Sequence, residues 1–474
     1  MAQEEKSYTP PPQNTDGRLG YLTNDQVHKL QKFWIKVYEV FDGRTPFDQS
    51  APSSYKGQPQ ETEEDGMSPE GSFISSARNG TDKSINGYGS VAISPSSPKS
   101  QRSFSGWPSN SNSSVSGTSS NKSNRHSKVA PRFTGAQLHR TFWKLTMMEH
   151  PDMIMLKFLR SRKWVIEDAV KMLVTTLKWR IVENVDELIA LSDVELDAKY
   201  PRFLEQMRSG KAYLRGADPL DRPICVVNTR IHHKSDQPAK TISRFALHMM
   251  ECGRTVLPLG SETVIVIFDL SKFGLDNMDW RFVRLFVQCF ESYYPETLAV
   301  CVVHRAPFVF WGLWKLIQPL LDVSVASKFI FTKNNAELHK VVPREVLPIH
   351  PYDGLDDWKY EYTSMQRGEN DQMVDLDKKE DLLMERESLE TKFDIVTRSW
   401  IKNTKQIGQT SVDRDVVAME LREQYFRLSP YVRARNMYQR QGVANDGHVQ
   451  WSYNLKSSPP TSRPRTAPSA QRKQ

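Results

Sequence analysis

The side-chain types able to do covalent chemistry are present in this sequence, but not at the spacings that chemistry requires. A cysteine phosphatase loop needs five residues between its cysteine and arginine, yet four lie between Cys225 and Arg230 and three between Cys301 and Arg305. There is no GxSxG elbow and no HExxH pair. Ser209, Gly210 and Lys211 lack the upstream glycine and the following hydroxyl of a nucleotide-binding loop. His232 and His233 have no cysteine nearby to complete a zinc pattern, and neighbours on a strand or tight loop point apart, so both are expected at the surface. Cys225, Cys252, Cys289 and Cys301 lie in apolar stretches without a CxxC pair and read as reduced core thiols of a cytosolic protein. The sequence therefore argues for binding, not catalysis: no catalytic residue, no metal ligand and no cofactor beyond a bound ligand are expected.

The formal charge of +8 and the pI near 9.1 favour anionic partners, either phosphate-bearing lipid surfaces or nucleic acid. A nucleic-acid module would interleave basic residues with stacking aromatics on a known pattern. Here the basic residues fall mainly in low-complexity segments, so no nucleic-acid partner is expected. One stretch points the other way: "RAPFVFWGLWKLIQPLLD", Arg305 to Asp322, places nine large apolar residues around Lys315. As a helix it is greasy around almost its whole circumference, which means burial on all sides or contact with lipid. No apolar run reaches the roughly 18 residues of a spanning helix, and the acidic start "MAQEEK" does not resemble a secretory signal.

The elements that position these residues alternate along the chain. "TNDQVHKLQKFWIKVYEVF" opens with Thr23 and Gln26 as a cap and carries Val27, Leu30, Trp34, Val37 and Phe41 at helical spacing. From about Asp42 to Ala130 the composition turns to Ser, Pro, Gly and Asn, which cannot offset its own ordering entropy. Acids cluster early in this insertion, and its later part carries Lys99, Arg102, Lys122, Arg125 and Lys128, beside Ser94, Ser97, Ser105 and Ser127 as candidate phosphate acceptors. Helices resume near Gly135, with Ala169, Leu173, Thr176 and Trp179 or Arg180 along one stripe. After them, strands such as "ETVIVIFDL", "TLAVCVVHR" and "SKFIFT" alternate with helices, the signature of an α/β layer with a mostly parallel sheet. Asp375 to Lys402 is amphipathic through Leu382, Leu389, Phe393, Val396 and Trp400 and is expected to dock on the domain or self-associate.

Five pieces stand in order: "LKFLRSRKW" (Leu156 to Trp164), "LKWR" (Leu177 to Arg180), "TVIVIFDL" (Thr263 to Leu270), "FESYYPETL" (Phe290 to Leu298) and "RAPFVFWGLWKLIQPLLDVSVASKFIF" (Arg305 to Phe331). Together they resemble the CRAL-TRIO lipid-binding family, in its fungal phosphatidylinositol-transfer branch, from about Leu19 to Asp357 with the insertion skipped. The resemblance implies an α/β fold with a helical N-terminal subdomain and a mixed, mostly parallel sheet flanked by helices, which encloses a lipid pocket under a mobile gate helix. The divisions that follow are 1–18 and the insertion 43–134 disordered, 19–42 and 135–200 the helical subdomain, 201–360 the lipid-binding domain, 370–440 a helical extension and 441–474 a disordered basic tail.

By the same resemblance Ala306 to Leu321 is the gate helix, which includes Ile317 and Leu320, with Phe308, Phe310, Trp311 and Trp314 covering acyl chains when closed and touching the bilayer when open. Carried over residue by residue, Arg162 and Lys328 bind the headgroup phosphate, while Glu296 pairs with Lys163 to fasten or tune the headgroup site. A threonine of the family's pattern is Val325 here. Val264, Val266 and Phe268 form the pocket wall, and the first two stand where choline-lipid binders carry small hydroxyl residues, so that wall suits a sterol or other hydrophobic guest instead. The implied protein is a monomeric, cytoplasmic, peripheral carrier of phosphatidylinositol and a second lipid. It meets anionic membranes and a lipid kinase or other effector. A lipid sensor and an interaction scaffold with a vestigial pocket are the alternatives.

Overall fold

The computed structural model describes residues 15–47, 132–402 and 412–455. The expectations for 1–14, for 48–131 of the insertion with its serines and basic residues, and for 456–474 fall outside the described residues.

Helix α1 (Asn24–Phe41) starts where expected, because the Thr23 hydroxyl accepts the Gln26 N–H and the Gln26 side chain accepts the Thr23 N–H. Its stripe of Val27, Leu30, Trp34, Val37 and Phe41 is buried against α2 (Gly135–Thr146), α3 (Pro151–Ser161) and α4 (Ile166–Val182). The crossing of α1 and α2 is close: a Cβ on Gly135 would stand 2.3 Å from the Val40 carbonyl oxygen, so only glycine fits there. Between α3 and α4 the chain turns through Lys163 and Trp164, both with positive φ (50° and 65°), which presents Arg162 and Lys163 on the rim of the bundle.

Three short helices, α5 (Val185–Ala190), α6 (Asp193–Lys199) and α7 (Phe203–Arg208), lead into a five-stranded sheet of order β1-β2-β3-β4-β5. β1 (Ala212–Ala217) runs antiparallel to β2 (Pro223–Asn228), and the Asp218 carboxylate organises the turn by accepting the N–H groups of Leu220 and Arg222. β2, β3 (Val264–Asp269), β4 (Leu298–His304) and β5 (Phe329–Thr332) are mutually parallel. Strand periodicity gives β3 two different faces. Ile265 and Ile267 pack with Ile224, Val226 and Val302 against Leu338 of α12 (Asn335–Leu338) and Tyr352 of α13 (Ile349–Tyr352). Val264, Val266 and Phe268 face the opposite layer. That layer consists of α8 (Ala239–Thr255), α9 (Trp280–Gln288), which ends in a π turn Cys289–Tyr293, and α10 (Phe308–Ile317). A short α11 (Val323–Ala326) then leads into β5.

The C-terminal helices α14 (Leu376–Lys402) and α15 (Val412–Val432) pack along each other. Phe393 and Trp400 enter the same core as Trp34 and Phe142, so the amphipathic stripe docks on the domain. The anchor is a buried ion pair in which Arg414 reaches Asp152 at 2.5 Å.

Residues 441–455 correct the expected disordered tail. They hold a small hairpin, β6 (Ala444–Asn445) against β7 (His448–Val449), and an extended segment that bridges to Asp356. The reason lies in the edge strand β1, whose outward N–H groups need acceptors. The Tyr438 hydroxyl accepts the Leu214 N–H at 2.8 Å, and the Tyr453 hydroxyl accepts the Ala217 N–H at 3.0 Å. Arg215 ties the same edge to Asp356 and to the Ser452 carbonyl.

Candidate functional site

Between the sheet and the α8, α9 and α10 layer lies an apolar cavity with about 1760 Å³ of empty space, part of it open to solvent. Val264, Val266 and Phe268 line its sheet side, opposite Met249 and Phe245 of α8 and Phe286 of α9. Alternation along β3 and the i, i+4 repeat of the helices put these side chains on one surface without a polar group among them.

The greasy helix closes this cavity and divides its residues by face. The α-helix spans Phe308–Ile317 and continues as a 3-10 turn Gln318–Leu320 that contains Pro319, so it is shorter than the stretch from Ala306 to Leu321. Phe310, Trp314 and Ile317 line the cavity, with Phe310 edge-on to Phe273 at 6.1 Å between ring centroids. Phe308 (94% exposed), Leu316 (60%) and Leu320 (47%) face outward, and Trp311 lies over Phe331 at 4.9 Å with part of its ring exposed. The helix therefore presents apolar residues to the cavity and to the outside at once. Those outward residues correct the expectation that the whole set covers a ligand.

Motifs that stand far apart in the chain meet beside the cavity. Trp179 of "LKWR" stacks on Tyr293 of "FESYYPETL", with centroids 4.0 Å apart and planes 5° from parallel. The next residues form a buried polar network: the Arg180 guanidinium donates to the Glu251 carboxylate at 2.8 Å, and the Tyr294 hydroxyl donates to the same carboxylate oxygen at 2.7 Å. Arg254 bridges Glu251 to Glu149, which also holds Lys157. Burial opposes the Glu251 charge, but the two guanidiniums hold its carboxyl far below the usual carboxylate range. Arg254 and Tyr294 reach the cavity wall from this network, and no spacing in the sequence announces it.

His232 is a second correction. It is 9% exposed and lines the cavity, whereas His233 is exposed as expected. Neither ring nitrogen of His232 makes a hydrogen bond among the described residues, although Nε2 approaches Asp279 Oδ2 to 3.4 Å. Lys211, excluded above from a nucleotide loop, also lines the cavity. Its ammonium donates to Gln206 and Gln237 side-chain oxygens at 2.6 and 2.9 Å, and burial lowers its pKa to about 8.

The four headgroup candidates do not line the cavity. Arg162 and Lys163 occupy the turn after α3, Glu296 precedes β4 with φ 58°, and Lys328 precedes β5, where its carbonyl accepts the Cys301 N–H. The expected Glu296–Lys163 pair does not form among the described residues: the turn leaves Lys163 exposed to solvent. Arg162 acts electrostatically on Glu291 in the π turn, and Glu291 accepts the backbone N–H of Asp322 just beyond the greasy helix.

The cysteines are free thiols. Burial pushes Cys225 and Cys252 up to about 12 and raises Cys289 and Cys301 well above the ordinary thiol value. No cluster of three or more potential metal ligands occurs among the described residues, and no described helix is long and apolar enough to cross a membrane.

An α/β layer with an apolar cavity under a two-faced helix matches what comparison with known proteins returns. Residues 207–354 match the family model "CRAL/TRIO domain", and residues 117–175 match "CRAL/TRIO, N-terminal domain". The "CRAL-TRIO domain-containing protein C3H8.02" of Schizosaccharomyces pombe is 33% identical over 339 residues, covering 71% of this chain and 75% of that protein. The "Phosphatidylinositol transfer protein CSR1" of Eremothecium gossypii is 34% identical over 314 residues, covering 65% of this chain and 72% of that protein. The "Phosphatidylinositol transfer protein PDR17" of Saccharomyces cerevisiae is 27% identical over 217 residues, covering 44% and 58%. The chain belongs to the CRAL-TRIO family.

Proposed function

We propose that this protein binds phosphatidylinositol in the cavity and carries it between membranes or presents it to a lipid-modifying enzyme, without covalent chemistry of its own. The observation that carries this reading is the cavity itself: an apolar space closed by a helix that is apolar on both faces. A side chain as large as Phe308 left 94% exposed is useful where it meets lipid rather than water. Two relatives named as phosphatidylinositol transfer proteins point the same way.

Energetics limits how such a carrier works. Each buried methylene is worth about 0.8 kcal/mol, so two acyl chains represent tens of kcal/mol in either bilayer or cavity. Exchange is practicable when the two environments nearly match, and selectivity then falls to the headgroup. Arg162 and Lys328 are the candidate phosphate ligands, since neither makes a side-chain hydrogen bond or ion pair among the described residues. Basic charge favours anionic membranes as docking surfaces, which makes the protein peripheral and cytoplasmic in this reading. The apolar wall of Val264 and Val266 accommodates a second, less polar guest.

Transfer of labelled phosphatidylinositol between donor and acceptor vesicles tests the reading. Transfer that saturates with protein and falls at least tenfold in Lys328→Ala supports it. Absence of transfer and of bound lipid in the unaltered protein defeats it.

A further inference from the structure

The C-terminal end of the gate helix is held by one carboxylate from another wall of the cavity. Glu291 belongs to the π turn Cys289–Tyr293 that closes α9, and its side chain accepts the backbone N–H of Asp322. Asp322 follows the proline-containing turn Gln318–Leu320 and caps α11 by accepting the Ser324 N–H at 2.8 Å. Asp322 is the N-cap of α11, where the first N–H groups have no helical acceptor, and Glu291 satisfies that of Asp322. The residues beside the contact, Phe290 and Leu321, both line the cavity, so the bond joins wall to gate at the cavity's rim.

We infer that Glu291 is a positioning residue that clamps the gate to the α9 wall and sets how readily the gate opens, a role whose use in lipid exchange rests on the function proposed above. Two charged groups act on it. Asp322, on the gate side, opposes its charge, and Arg162, from the turn after α3, favours it. Burial raises the Glu291 carboxyl above the ordinary range; the hydrogen bond from the Asp322 N–H pulls it down, the Asp322 charge pushes it up and the Arg162 charge pulls it down, with burial prevailing. Glu291 can accept the Asp322 N–H whether or not its other oxygen is protonated, and because its carboxyl is raised in the clamped state, acidification does not release the clamp.

Hydrogen–deuterium exchange on the full chain without added lipid reads the clamp directly. Near neutral pH, Glu291→Ala is expected to speed exchange of peptides covering 308–326 roughly tenfold, the size of a lost charge-assisted bond. Glu291→Gln keeps a carbonyl acceptor and is expected to stay within about threefold of the unaltered protein. Equal gate protection in the unaltered and alanine proteins overturns the clamp, as does a loss of protection that extends equally through β3 and β4. Phosphatidylinositol transfer by the same proteins separates this inference from the function it serves: a gate effect in exchange without transfer by any of them keeps the clamp and defeats the transfer reading.

Discussion

Replacing Arg414 by methionine removes the cation that joins the C-terminal helices to the N-terminal bundle. The guanidinium donates to both Asp152 carboxylate oxygens at 2.5 and 2.7 Å and to the Thr397 hydroxyl at 3.0 Å, and it lies 4.2 Å from the Trp400 ring centroid. The two side chains are 1% and 0% exposed, so water cannot take over for a missing partner. Burial works against the Asp152 charge, yet Arg414 beside it holds the carboxyl below its ordinary value. Methionine keeps most of the apolar stem, which leaves the uncompensated carboxylate as the main cost. Breaking a buried pair in this way costs about 3–5 kcal/mol, a large share of the roughly 5–15 kcal/mol that holds a domain together. With a urea slope of about 2–3 kcal/mol/M, the midpoint is expected to fall by roughly 1–2 M. Because the folded pKa of Asp152 is depressed, the wild-type contribution is present above about pH 4 and lost as pH falls below it. In Arg414→Met the deficit should therefore shrink on acidification, and Asp152→Asn in the same background should recover more than half of it. A midpoint change under about 0.3 M, or a deficit equal at pH 7 and at about pH 4, would refute the reasoning.

Acid sensitivity follows from a second buried carboxylate. Burial opposes the Glu149 charge, but Lys157 and Arg254 lower its pKa to about 2, so its contribution is present above the ordinary value of 4.5 and lost on descent toward 2. Glu149→Gln should cost about 3 kcal/mol at neutral pH and flatten that part of an acid-unfolding curve. Native protein should leave its four thiols nearly unreactive to a disulfide reagent, with all of them released in urea, as measured by absorbance. Phe308→Asp should move unfolding stability by less than about 0.5 kcal/mol, since the side chain is already in solvent, while vesicle sedimentation shows several-fold weaker binding. Val266→Trp should leave a folded protein by circular dichroism but strip it of co-purifying lipid, because the new ring occupies the cavity.

Much of this architecture is legible in local patterns. The capping box of Thr23 and Gln26 starts α1 where the sequence places it, and the alternation of "TVIVIFDL" separates Val264 and Val266 from Ile265 and Ile267. Such signals depend on periodicity and neighbouring residues alone. What escapes them depends on distant partners. His232 is a loop histidine by sequence, and only the approach of α9 and its Asp279 buries it. Residues 441–455 are polar on average, and they are ordered because Tyr438 and Tyr453 meet the open edge of β1. Arg180 and Tyr294 look like isolated motif letters until Glu251 brings them together. The greasy helix is the intermediate case: its composition announces an apolar role on all sides, but its division into cavity-facing Phe310 and Trp314 and outward Phe308 and Leu320 needs the sheet beneath it.

The most direct test of the central claim is native mass spectrometry of the protein purified from its host cells, with its lipid extracted and identified, beside Lys328→Ala and Val266→Trp. The account expects one phosphatidylinositol per chain in the unaltered protein, greatly reduced in Lys328→Ala, and no lipid in Val266→Trp. An unaltered protein that carries no lipid, or whose phosphatidylinositol content is the same with the cavity filled by tryptophan, would contradict it.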